Sequence, residues 1–389
     1  MELCLLLACV LSTVCASSKT PSSTEDWETW KASCGKKYNS KKTESLRKGI
    51  WQNNLRKIKD HNDQQGNSTF IMVMNSFGDL TEKEFSQLLY THGTEEVLVN
   101  NQTQESPKGR RAHHLSESVD WRTAGYVTSP KYQGQCSSCW AFSATGVLEG
   151  QMFKKTGRLI ALSEQNLIDC AQTVGTYGCS GGWASSAFDY ISQSGGIEAA
   201  ATYGYTAKGG ESCKYDVSER VASIKSYEIL PYSDEEALTR AVAEIGPVAV
   251  VIDASLASWQ FYSSGVYYDA SCKTNAFNHA VLVVGYGVQS GMKYYIVKNR
   301  YVKPAIQSRN YLKITGVFKA GKHPKALHRT VIGQKLTPKQ SADNKRNHAG
   351  SSTRNVNSAF ALQMLPDPLR LLAFFVFIPD SSICSILLL

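Results

Sequence analysis

Apolar residues recur every three to four positions through the first part of the chain, with charged residues between them. The repeat is formed by Trp27, Trp30, Trp51, Leu55 and Ile58. This spacing predicts helix over about residues 24–64, with one face buried. The run from Phe70 to Met74 then indicates a strand, and Asp79 and Thr81 are candidate caps for a short helix behind it.

The polar stretch over about residues 93–114 has no periodicity and predicts an exposed linker, so we place a domain boundary at its end. Beyond it, the apolar repeat predicts a helix from Cys139 to Lys155, and LSEQNLIDC predicts a second. Ser233 and Glu236 form a candidate capping box for a third helix. The strand candidates that follow are VAVVID, HAVLVVGYG and MKYYIVKN. Helices first and strands later favour an α+β domain in which the two kinds are segregated.

The N-terminus reads LCLLLACVLSTVCAS, an apolar run of signal-peptide length that ends in small residues, with Ala16 at a plausible cleavage site. Residues 1–16 are therefore a predicted signal peptide, which directs the chain into the secretory pathway. In that compartment the sequons at Asn67 and Asn101 become glycan acceptors, and disulfides are the default state of the cysteines. The run is too short for a transmembrane segment.

Positive charge is concentrated at the C-terminal end. The formal net charge is +9, but residues 300–389 hold 14 Lys and Arg against 3 Asp and Glu, which leaves the first 299 residues at −2. A heparin- or nucleic-acid-binding role would rest wholly on this last quarter, which lacks the interleaved aromatic residues of base-stacking surfaces. We therefore expect no nucleic-acid partner.

The chain has 11 cysteines, of which 8 remain once residues 1–16 are removed, and an even number permits four bridges without requiring them. Cys136 and Cys139 stand close together in QGQCSSCWAFS, a spacing that zinc sites and redox pairs also use. A zinc site needs a second Cys or His pair at metal spacing, and a thioredoxin-like pair needs a βαβ context. The sequence has neither, so we predict no metal and no cofactor.

Several motifs occur together in order, which makes them far more specific than any one alone. They are QGQCSSCWAFSA, SEQNLIDC, CSGGWA, NHAVLVVGYG and YYIVKN. In this order the sequence resembles papain-family cysteine proteases of the cathepsin L, K and S group. The resemblance extends upstream to the family's helical propeptide and covers about residues 24–299. The matching propeptide positions are Arg47, Trp51, Asn54, Ile58, Asn62, Asn75, Phe77 and Asp79.

The resemblance implies a catalytic centre. It makes Cys139 the nucleophile, His279 its general base and Asn299 the amide that orients the imidazole ring. It makes Gln133 a donor to the oxyanion. The residue types suit these roles, because a thiol with an ordinary pKa near 8.5 needs an imidazolium and a helix N-terminus to stabilise its thiolate. An oxyanion donor is typically worth about 3 kcal/mol.

The resemblance also implies disulfides between Cys136 and Cys179 and between Cys170 and Cys213, and leaves the partner of Cys272 open. It implies a substrate strip and an apolar specificity pocket at Gly181, Gly182, Trp183, Ala184, Ala254, Phe277 and Ala280. Because the pocket positions are apolar, we expect a preference for a hydrophobic residue two positions before the scissile bond. The implied partners are protein and peptide substrates, the chain's own propeptide as an intramolecular inhibitor, and cystatin-type inhibitors.

The family pattern is lost after Asn299, where Ser-Trp-Gly is expected and the chain reads RYVKP. The segment NYLKITG could mimic a lost strand, although Pro304 lies before it. The rest of the tail is basic and without periodicity, which predicts disorder. A misjoined or intron-derived reading frame is the favoured origin of this tail, and a lipid-anchor signal is the alternative.

The sequence thus predicts an α+β, two-lobed papain-like fold with a helical lobe and a β-barrel-like lobe. The predicted parts are a signal peptide at 1–16, an inhibitory propeptide at 17–114, a peptidase domain at 115–299 and a tail at 300–389. The implied function is that of a cysteine endopeptidase made as a zymogen and acting in the lysosome or outside the cell. The alternative is a catalytically impaired variant, with a truncated peptidase lobe, that at most binds peptides or inhibitors. The sequence does not separate the L, K and S types.

Overall fold

The structure, a computed structural model, describes part of the chain. The described residues are 26–64, 68–89, 115–230, 234–272, 278–299 and 311–315, with the backbone of 386–388. The predicted signal peptide, the sequons at Asn67 and Asn101, the pocket residue Phe277 and most of the tail lie outside these residues. None of the helices within them has the length and apolar content needed to span a membrane.

The N-terminal segment, residues 26–89, consists of helices and one short strand. They are α1 (Trp27–Ser33), α2 (Lys41–Asn62), β1 (Phe70–Met72) and α3 (Glu82–Gln87). The apolar repeat predicted one continuous helix over 24–64, and this prediction was wrong between α1 and α2. The chain turns there because Gly35 has a left-handed φ of 59° and the side chain of Ser40 caps a new helix by accepting from the Thr43 N–H.

An aromatic cluster holds this segment together. The indole ring centroids of Trp27 and Trp30 lie 5.2 Å apart, and those of Trp30 and Trp51 lie 5.9 Å apart. The Trp30 Nε1–H donates to the Asn75 carbonyl at 3.0 Å. Asn54 is buried on α2, and its amide donates to the carbonyls of Gly78 and Leu80. The segment therefore has a core of its own, and its buried amides are paired with backbone carbonyls.

Of the two predicted caps, only Thr81 caps α3. Its side chain accepts from the Glu84 N–H, and Glu84 accepts in return from the Thr81 N–H, which completes a capping box. Asp79 instead forms an ion pair with Lys36 and accepts from the Tyr38 hydroxyl at 2.9 Å. The prediction that Asp79 caps the helix was therefore wrong, because its carboxylate joins the loop between α1 and α2 to the chain before α3.

The helical half of the body follows residue 115. Its elements are α4 (Cys139–Thr156), α5 (Glu164–Cys170), α6 (Ala184–Gln193) and the small hairpin of β3 (Ile197–Glu198) and β4 (Arg220–Ala222). Helix α4 packs against α5 and α6, and its residues from Cys139 to Met152 are buried except for the half-buried Phe142. It ends where predicted, because Gly157 adopts a left-handed φ of 69° and its N–H closes the last turn onto Phe153.

The other half is built on a sheet. Its elements are β2 (Val119–Asp120), α7 (Glu235–Glu244), β5 (Val248–Ile252), α8 (Ala257–Phe261), β6 (Tyr262–Tyr267), β7 (His279–Gln289), β8 (Met292–Lys298), β9 (Tyr311–Ile314) and β10 (Ile386–Leu388). The strand order is β1-β6-β9-β8-β7-β5-β10, with β2 also on β7. The predicted strands at β5, β7 and β8 are present. The N-cap of α7 is Asp234, whose side chain accepts from the Ala237 N–H at 2.9 Å, and the predicted capping residue Ser233 lies outside the described residues.

Strands β9 and β10 lie beyond Asn299, in the region that the sequence sets apart as a tail. Tyr311–Ile314 alternates half-buried and buried side chains and lies between β8 and β6, antiparallel to the first and parallel to the second. This strand is the one that NYLKITG suggests. The backbone of Ile386–Leu388 pairs antiparallel with β5, Leu387 opposite Val251. Strand β9 therefore covers an edge of β8, and strand β10 covers an edge of β5, so neither edge is left open.

The N-terminal segment adds a strand to this sheet. Strand β1 pairs antiparallel with β6, with Phe70 opposite Gly265. Further along, Asn75 donates to the Gln260 carbonyl at 2.6 Å, and Gln260 donates from its side chain to the Phe77 carbonyl at 2.9 Å. Both side chains are buried. The segment is thus held on the body by backbone pairing and by two side-chain amides, each of which donates to a backbone carbonyl across the boundary.

Gly265 should decide how tightly the segment docks. Its φ is 94°, and a Cβ there would lie 2.5 Å from the Thr69 carbonyl oxygen and 2.7 Å from the Phe70 Cα. We expect Gly265→Ala to speed trypsin cleavage of the N-terminal segment by roughly tenfold or more, because a few kcal/mol of strain and overlap opposes the pairing. The measurement is the time course of cleavage of the full chain.

The matched control is Gly291→Ala. Gly291 has a similar φ of 76°, but nothing lies within 4 Å of the position of its Cβ. This control shares the backbone strain and lacks the contact with the segment. Equal cleavage rates in the two variants would contradict a role for the contact.

The ion pair between Glu84 and Arg47 should make the segment sensitive to acid. Their side chains are 2.9 Å apart, and the Arg47 hydrogen bond lowers the pKa of Glu84 from its ordinary 4.5 to about 2. The stabilisation is therefore complete above about pH 4.5 and is lost as the pH falls through the folded-state pKa of about 2.

We expect the urea midpoint of Glu84→Gln to lie below that of the unmodified chain at pH 6 and to converge with it towards pH 2, followed by tryptophan fluorescence. Glu82→Gln is the control, because Glu82 lies in the same turn but is exposed, and its contact with Lys57 is longer, at 3.7 Å. A constant gap for Glu84→Gln across the whole pH range would contradict the assignment.

Candidate active site

Cys139 is the first residue of helix α4 and is fully buried. It is the free thiol among the described cysteines. The residue before it, Ser138, occupies the N-cap position but makes no side-chain hydrogen bond to the helix. The first N–H groups of α4 and its dipole therefore act on the thiol end of the helix, where they favour a negative charge.

His279 begins strand β7 and is buried. Its ring Nε2 lies 2.9 Å from Oδ1 of Asn299, the residue that follows β8. Because an amide oxygen is only an acceptor, Nε2 carries the proton in this contact. The edge of Trp259 approaches the imidazole, with ring centroids 6.4 Å apart. Arg300 and Tyr301, which replace the family's Ser-Trp, lie outside the described residues.

The two halves meet where α4 crosses β7. Gly146 permits this close crossing, because a Cβ at that position would lie 2.6 Å from the Leu282 Cδ2. A small cavity lies at the same place, and it is bordered by the first turns of α4 and by residues on both sides of it, including Phe142, Ser143, Ala280 and Asn299. The start of α4 and the ends of β7 and β8 thus border a common space.

Gln133 lies in the loop before α4, and its side chain is buried. Its Nε2 donates to the carbonyl of Cys136, which also accepts from the Ser138 N–H at 2.8 Å. A primary amide has a second N–H, which this contact leaves for another acceptor. The loop therefore holds an amide donor beside the helix that carries the thiol.

The predicted substrate-binding residues fall into two groups. Gly181 and Gly182 lie beside α4, where a Cβ on Gly182 would come within 2.9 Å of the Trp140 ring. Ala254 lies on the sheet side, where its N–H donates to the side chain of Asn278, directly before His279. Trp183, Ala184 and Ala280 are buried as well. The glycines thus flank the thiol side, and the alanines at 254 and 280 flank the imidazole side.

Disulfides join Cys136 to Cys179 and Cys170 to Cys213. These are the pairs that the family resemblance implies. The first ties the Gln133 loop to the glycine strip, and the Ser137 N–H donates to the Cys179 carbonyl at 2.9 Å beside it. Cys34 and Cys272 are also disulfide-bonded. Within the described residues no group of three or more His, Cys, Asp or Glu side chains is arranged to hold a metal ion.

A buried ionic cluster, formed by Lys131, Glu149, Glu164 and Lys298, lies beneath the site. Lys131 Nζ is 2.8 Å from Glu149 and 2.5 Å from Glu164. Thr128 donates to Glu149 at 2.6 Å and accepts from Lys298 at 2.9 Å. Lys298 is the residue before Asn299, so the cluster links α4 and α5 to the strand that carries the Asn299 amide.

The surroundings shift the pKa values of the two carboxylates of the cluster in opposite directions. Burial alone would raise the pKa of Glu149, but Lys131 and Lys298 outweigh it and lower that pKa. Burial raises the pKa of Glu164, and Lys131 offsets this only in part. Burial also lowers the pKa of Lys298. Glu149 is therefore the carboxylate on which the positive charges act most strongly.

Sequence reasoning missed this cluster and the Trp259 contact. Glu149 interrupts an apolar stretch of α4, GVLEGQM, and a charge on the buried face of a helix is a signal that a partner lies elsewhere. The partner, Lys131, lies before the helix, so only the tertiary fold pairs them.

Comparisons with known proteins place these features in a family. Residues 115–317 match the model of the papain family cysteine protease, and residues 27–85 match that of the cathepsin propeptide inhibitor domain. The chain is 44% identical to cathepsin K of Mus musculus over 310 residues, covering 77% of this chain and 92% of that protein. It is 45% identical to procathepsin L of Felis catus over 284 residues, covering 71% and 82%.

Solved structures agree with this relationship. Digestive procathepsin L 3 from the larval midgut of Tenebrio molitor is similar with a TM-score of 0.64 and 40% identity, over 74% of this chain and 92% of that one. A recombinant stem bromelain precursor is similar with a TM-score of 0.63 and 31% identity, over 74% and 90%. The similarity to these precursor proteins thus covers both the N-terminal segment and the body of this chain.

The buried ionic cluster predicts unequal effects of neutralising its two carboxylates. We expect Glu149→Gln to lower the free energy of unfolding by about 3 kcal/mol, because it leaves Lys131 and Lys298 short of a buried counter-charge. Glu164→Gln should cost about 1 kcal/mol or less, because the Gln oxygen can still accept from both Lys131 and Thr145 at the position of Glu164 Oε1. Urea unfolding of the two variants at pH 6 measures the difference, and equal losses would contradict the unequal action of the positive charges on the two carboxylates.

Proposed function

The chain belongs to the papain family of cysteine proteases, and from that premise we propose that its catalytic centre is formed by Cys139, His279 and Asn299. The chain is a cathepsin-like cysteine endopeptidase that carries its propeptide. The observation that carries the residue assignment is the 2.9 Å contact between His279 Nε2 and Asn299 Oδ1, with a free thiol at the N-terminus of α4. This arrangement leaves His279 Nδ1 to exchange a proton with the sulfur.

The proposed reaction has two halves. The Cys139 thiolate attacks the carbonyl carbon of the scissile peptide bond, and the imidazolium of His279 gives its proton to the departing amine, which leaves a thioester. Neutral His279 then takes a proton from water, and the resulting hydroxide attacks the thioester carbonyl. The C–S bond breaks, which releases the acid product and restores the Cys139 thiolate beside the His279 imidazolium. Asn299 keeps the ring in the orientation that both transfers need.

Gln133 and the backbone N–H of Cys139 are the proposed donors to the oxyanion of each tetrahedral intermediate. Support comes from the place of Gln133, which is buried in the loop before α4 and has one amide N–H beyond the contact with Cys136. Removing such a donor typically slows the reaction by about 10²- to 10³-fold. The N-terminus of α4 adds a favourable dipole at the same point.

The specificity proposal concerns the residue two positions before the scissile bond. We propose that Ala254, Ala280 and Trp183 contribute to an apolar pocket there, together with Ala184 and Phe277. The support is the apolar character of these side chains and the position of two of them near His279. Ala280 follows His279 on β7, and Ala254 follows β5, which pairs with β7. Gly181 and Gly182 are the proposed strip that pairs with an extended substrate.

The N-terminal segment is proposed to belong to an inhibitory propeptide at 17–114 that must be removed before substrate enters. The strand pairing of β1 with β6 and the amide pair of Asn75 and Gln260 support its attachment. We further propose that the chain enters the secretory pathway, carries glycans at Asn67 and Asn101, acts in the lysosome or outside the cell, and binds cystatin-type inhibitors in its cleft.

The altered sequence after Asn299 raises the alternative of a catalytically impaired protein that binds peptides or inhibitors. Strand β9 favours the active form, because it lies beside β8 and so supports the strand that leads to Asn299. We therefore propose that the described body is competent, and turnover decides between the two functions.

The deciding experiment uses the recombinant full-length chain after acid processing. We expect an epoxide thiol reagent to label Cys139 and dipeptidyl amide substrates to be hydrolysed, with at least tenfold preference for Leu over Lys at the position two before the cut, since burying an apolar side chain is worth about 1.5 kcal/mol or more. Cys139→Ser is the control and should lose both label and turnover.

The outcomes separate the proposals. Label without turnover in a folded protein would favour the impaired variant. Turnover without preference would remove the specificity proposal and leave the catalytic centre. A folded chain with neither label nor turnover would overturn the catalytic assignment.

A further inference from the structure

The hydroxyl of Tyr205 contacts both ends of the loop that leads into α4. It donates to the Gln133 carbonyl at 2.6 Å, and it lies 2.8 Å from the Ser138 Oγ. Since the Tyr205 proton is used on the carbonyl, the Ser138 hydroxyl must be the donor in the second contact. The result is a chain of hydrogen bonds that runs from Ser138 through Tyr205 to Gln133.

The two ends of this loop carry the proposed oxyanion donors. Gln133 supplies its side-chain amide, and the peptide between Ser138 and Cys139 supplies the second N–H. Both Gln133 and Ser138 are buried, with exposures of 1% and 0%. Both also hydrogen-bond to the Cys136 carbonyl, Gln133 from its side chain and Ser138 from its N–H. A shift of either end would therefore move a donor relative to the other.

Tyr205 is itself held from the side away from the loop. The next residue, Thr206, donates its N–H to the Gln165 side chain at 3.0 Å, and Gln165 donates to the Lys208 carbonyl at 2.8 Å. The Tyr205 ring meets Phe142 of α4 edge-on, with centroids 5.1 Å apart. The hydroxyl is thus presented by a segment fixed to α5 and by a ring fixed to α4.

The absence of a helix cap at Ser138 fits this use of its side chain. A serine at an N-cap ordinarily accepts from the N–H groups of the first turn and is worth about 1 kcal/mol there. Ser138 makes no such bond, and its hydroxyl engages Tyr205 instead. The first-turn N–H groups of α4 therefore stay free of a side-chain acceptor at the point where the oxyanion forms.

We propose that Tyr205 is a positioning residue for peptide hydrolysis: its hydroxyl holds Gln133 and the Ser138–Cys139 peptide in the mutual geometry that the oxyanion requires. The proposal rests on the proposed function, since it acts through Gln133. Tyr205 touches neither substrate nor sulfur in this role. It acts on the step in which negative charge develops on the substrate oxygen, so its effect should appear in kcat.

The test variant is Tyr205→Phe in the acid-processed full-length chain, which keeps the ring on Phe142 and removes only the hydroxyl. We expect kcat for a dipeptidyl amide to fall by roughly three- to tenfold, the value of one hydrogen bond, with KM changed less than about twofold. Alkylation of Cys139 by iodoacetamide forms no oxyanion, so its rate and pH profile should be unchanged.

Tyr227→Phe is the matched control. The Tyr227 hydroxyl is half-buried and donates to Asp189 at 3.0 Å, and its ring packs on Phe188, so this variant also removes one hydroxyl and keeps one ring contact. We expect its kcat to match that of the unmodified enzyme. Equal kcat losses in the two variants, or a loss in Tyr205→Phe that the alkylation rate shares, would overturn the positioning role.

Gln133→Ala separates the positioning role of Tyr205 from the proposal that Gln133 is an oxyanion donor. A fall in kcat of about 10²-fold is expected for that variant, and the double variant with Tyr205→Phe should lose less than the product of the single effects. If Gln133→Ala leaves kcat intact, the oxyanion assignment fails and the role of Tyr205 fails with it. If Gln133→Ala is impaired but the effects multiply in full, only the role of Tyr205 fails.

Discussion

The close crossing of helix α4 over strand β7 is the contact on which the rest of the molecule depends. The thiol lies on the helical half, and the imidazole lies on the sheet, so their relative position is only as fixed as this crossing. Gly146 lets the helix approach Leu282. The buried ionic cluster of Lys131, Glu149, Glu164 and Lys298 stabilises the same boundary, because separating the two halves would leave its buried charges without partners. Packing alone would fix the distance between α4 and β7, whereas the ionic contacts also fix how far the helix can slide along the strand.

The N-terminal segment is attached by a different kind of interaction. Its own core is an aromatic cluster, and its attachment to the body combines the packing of Phe70 on Tyr267 with directional contacts, which are the pairing of β1 with β6 and the amides of Asn75 and Gln260. Directional contacts lose their strength together when the geometry changes, whereas apolar contacts decline with area. The directional part of this attachment can therefore be lost in one step when β1 separates from β6.

Much of the fold could be predicted from the sequence because its signals are local. The apolar repeat and Gly157 locate α4, the serine at 163 starts α5, and alternation and β-branched residues locate β5, β7 and β8. The α+β class and the papain-like architecture were confirmed. The break between α1 and α2 was missed, because a repeat that resumes after Ser40 looks continuous when only spacing is read.

The residues that tune the candidate site were harder to predict, because their partners are distant in sequence. Glu149 indicates a buried charge, yet nothing local pairs it with Lys131. Tyr205 is 72 positions from the carbonyl that it binds, and its segment has no periodicity to mark it. Asp79 sits where a helix cap is expected and is used by Lys36 instead. In each case tertiary structure brings together groups whose local sequence favours another use.

Strand β6 acquires a different character once the N-terminal segment is gone. It lies between β1 and β9, so loss of β1 turns it into the border of the sheet, with backbone donors and acceptors facing water. Exposed borders invite pairing with other chains, and proteins limit this with residues that form strands poorly. Ser263, Ser264 and Gly265 occupy the middle of β6. Gly265 therefore has two consequences: it admits β1 in the full chain, and it lowers the strand propensity of the edge that loss of β1 would expose.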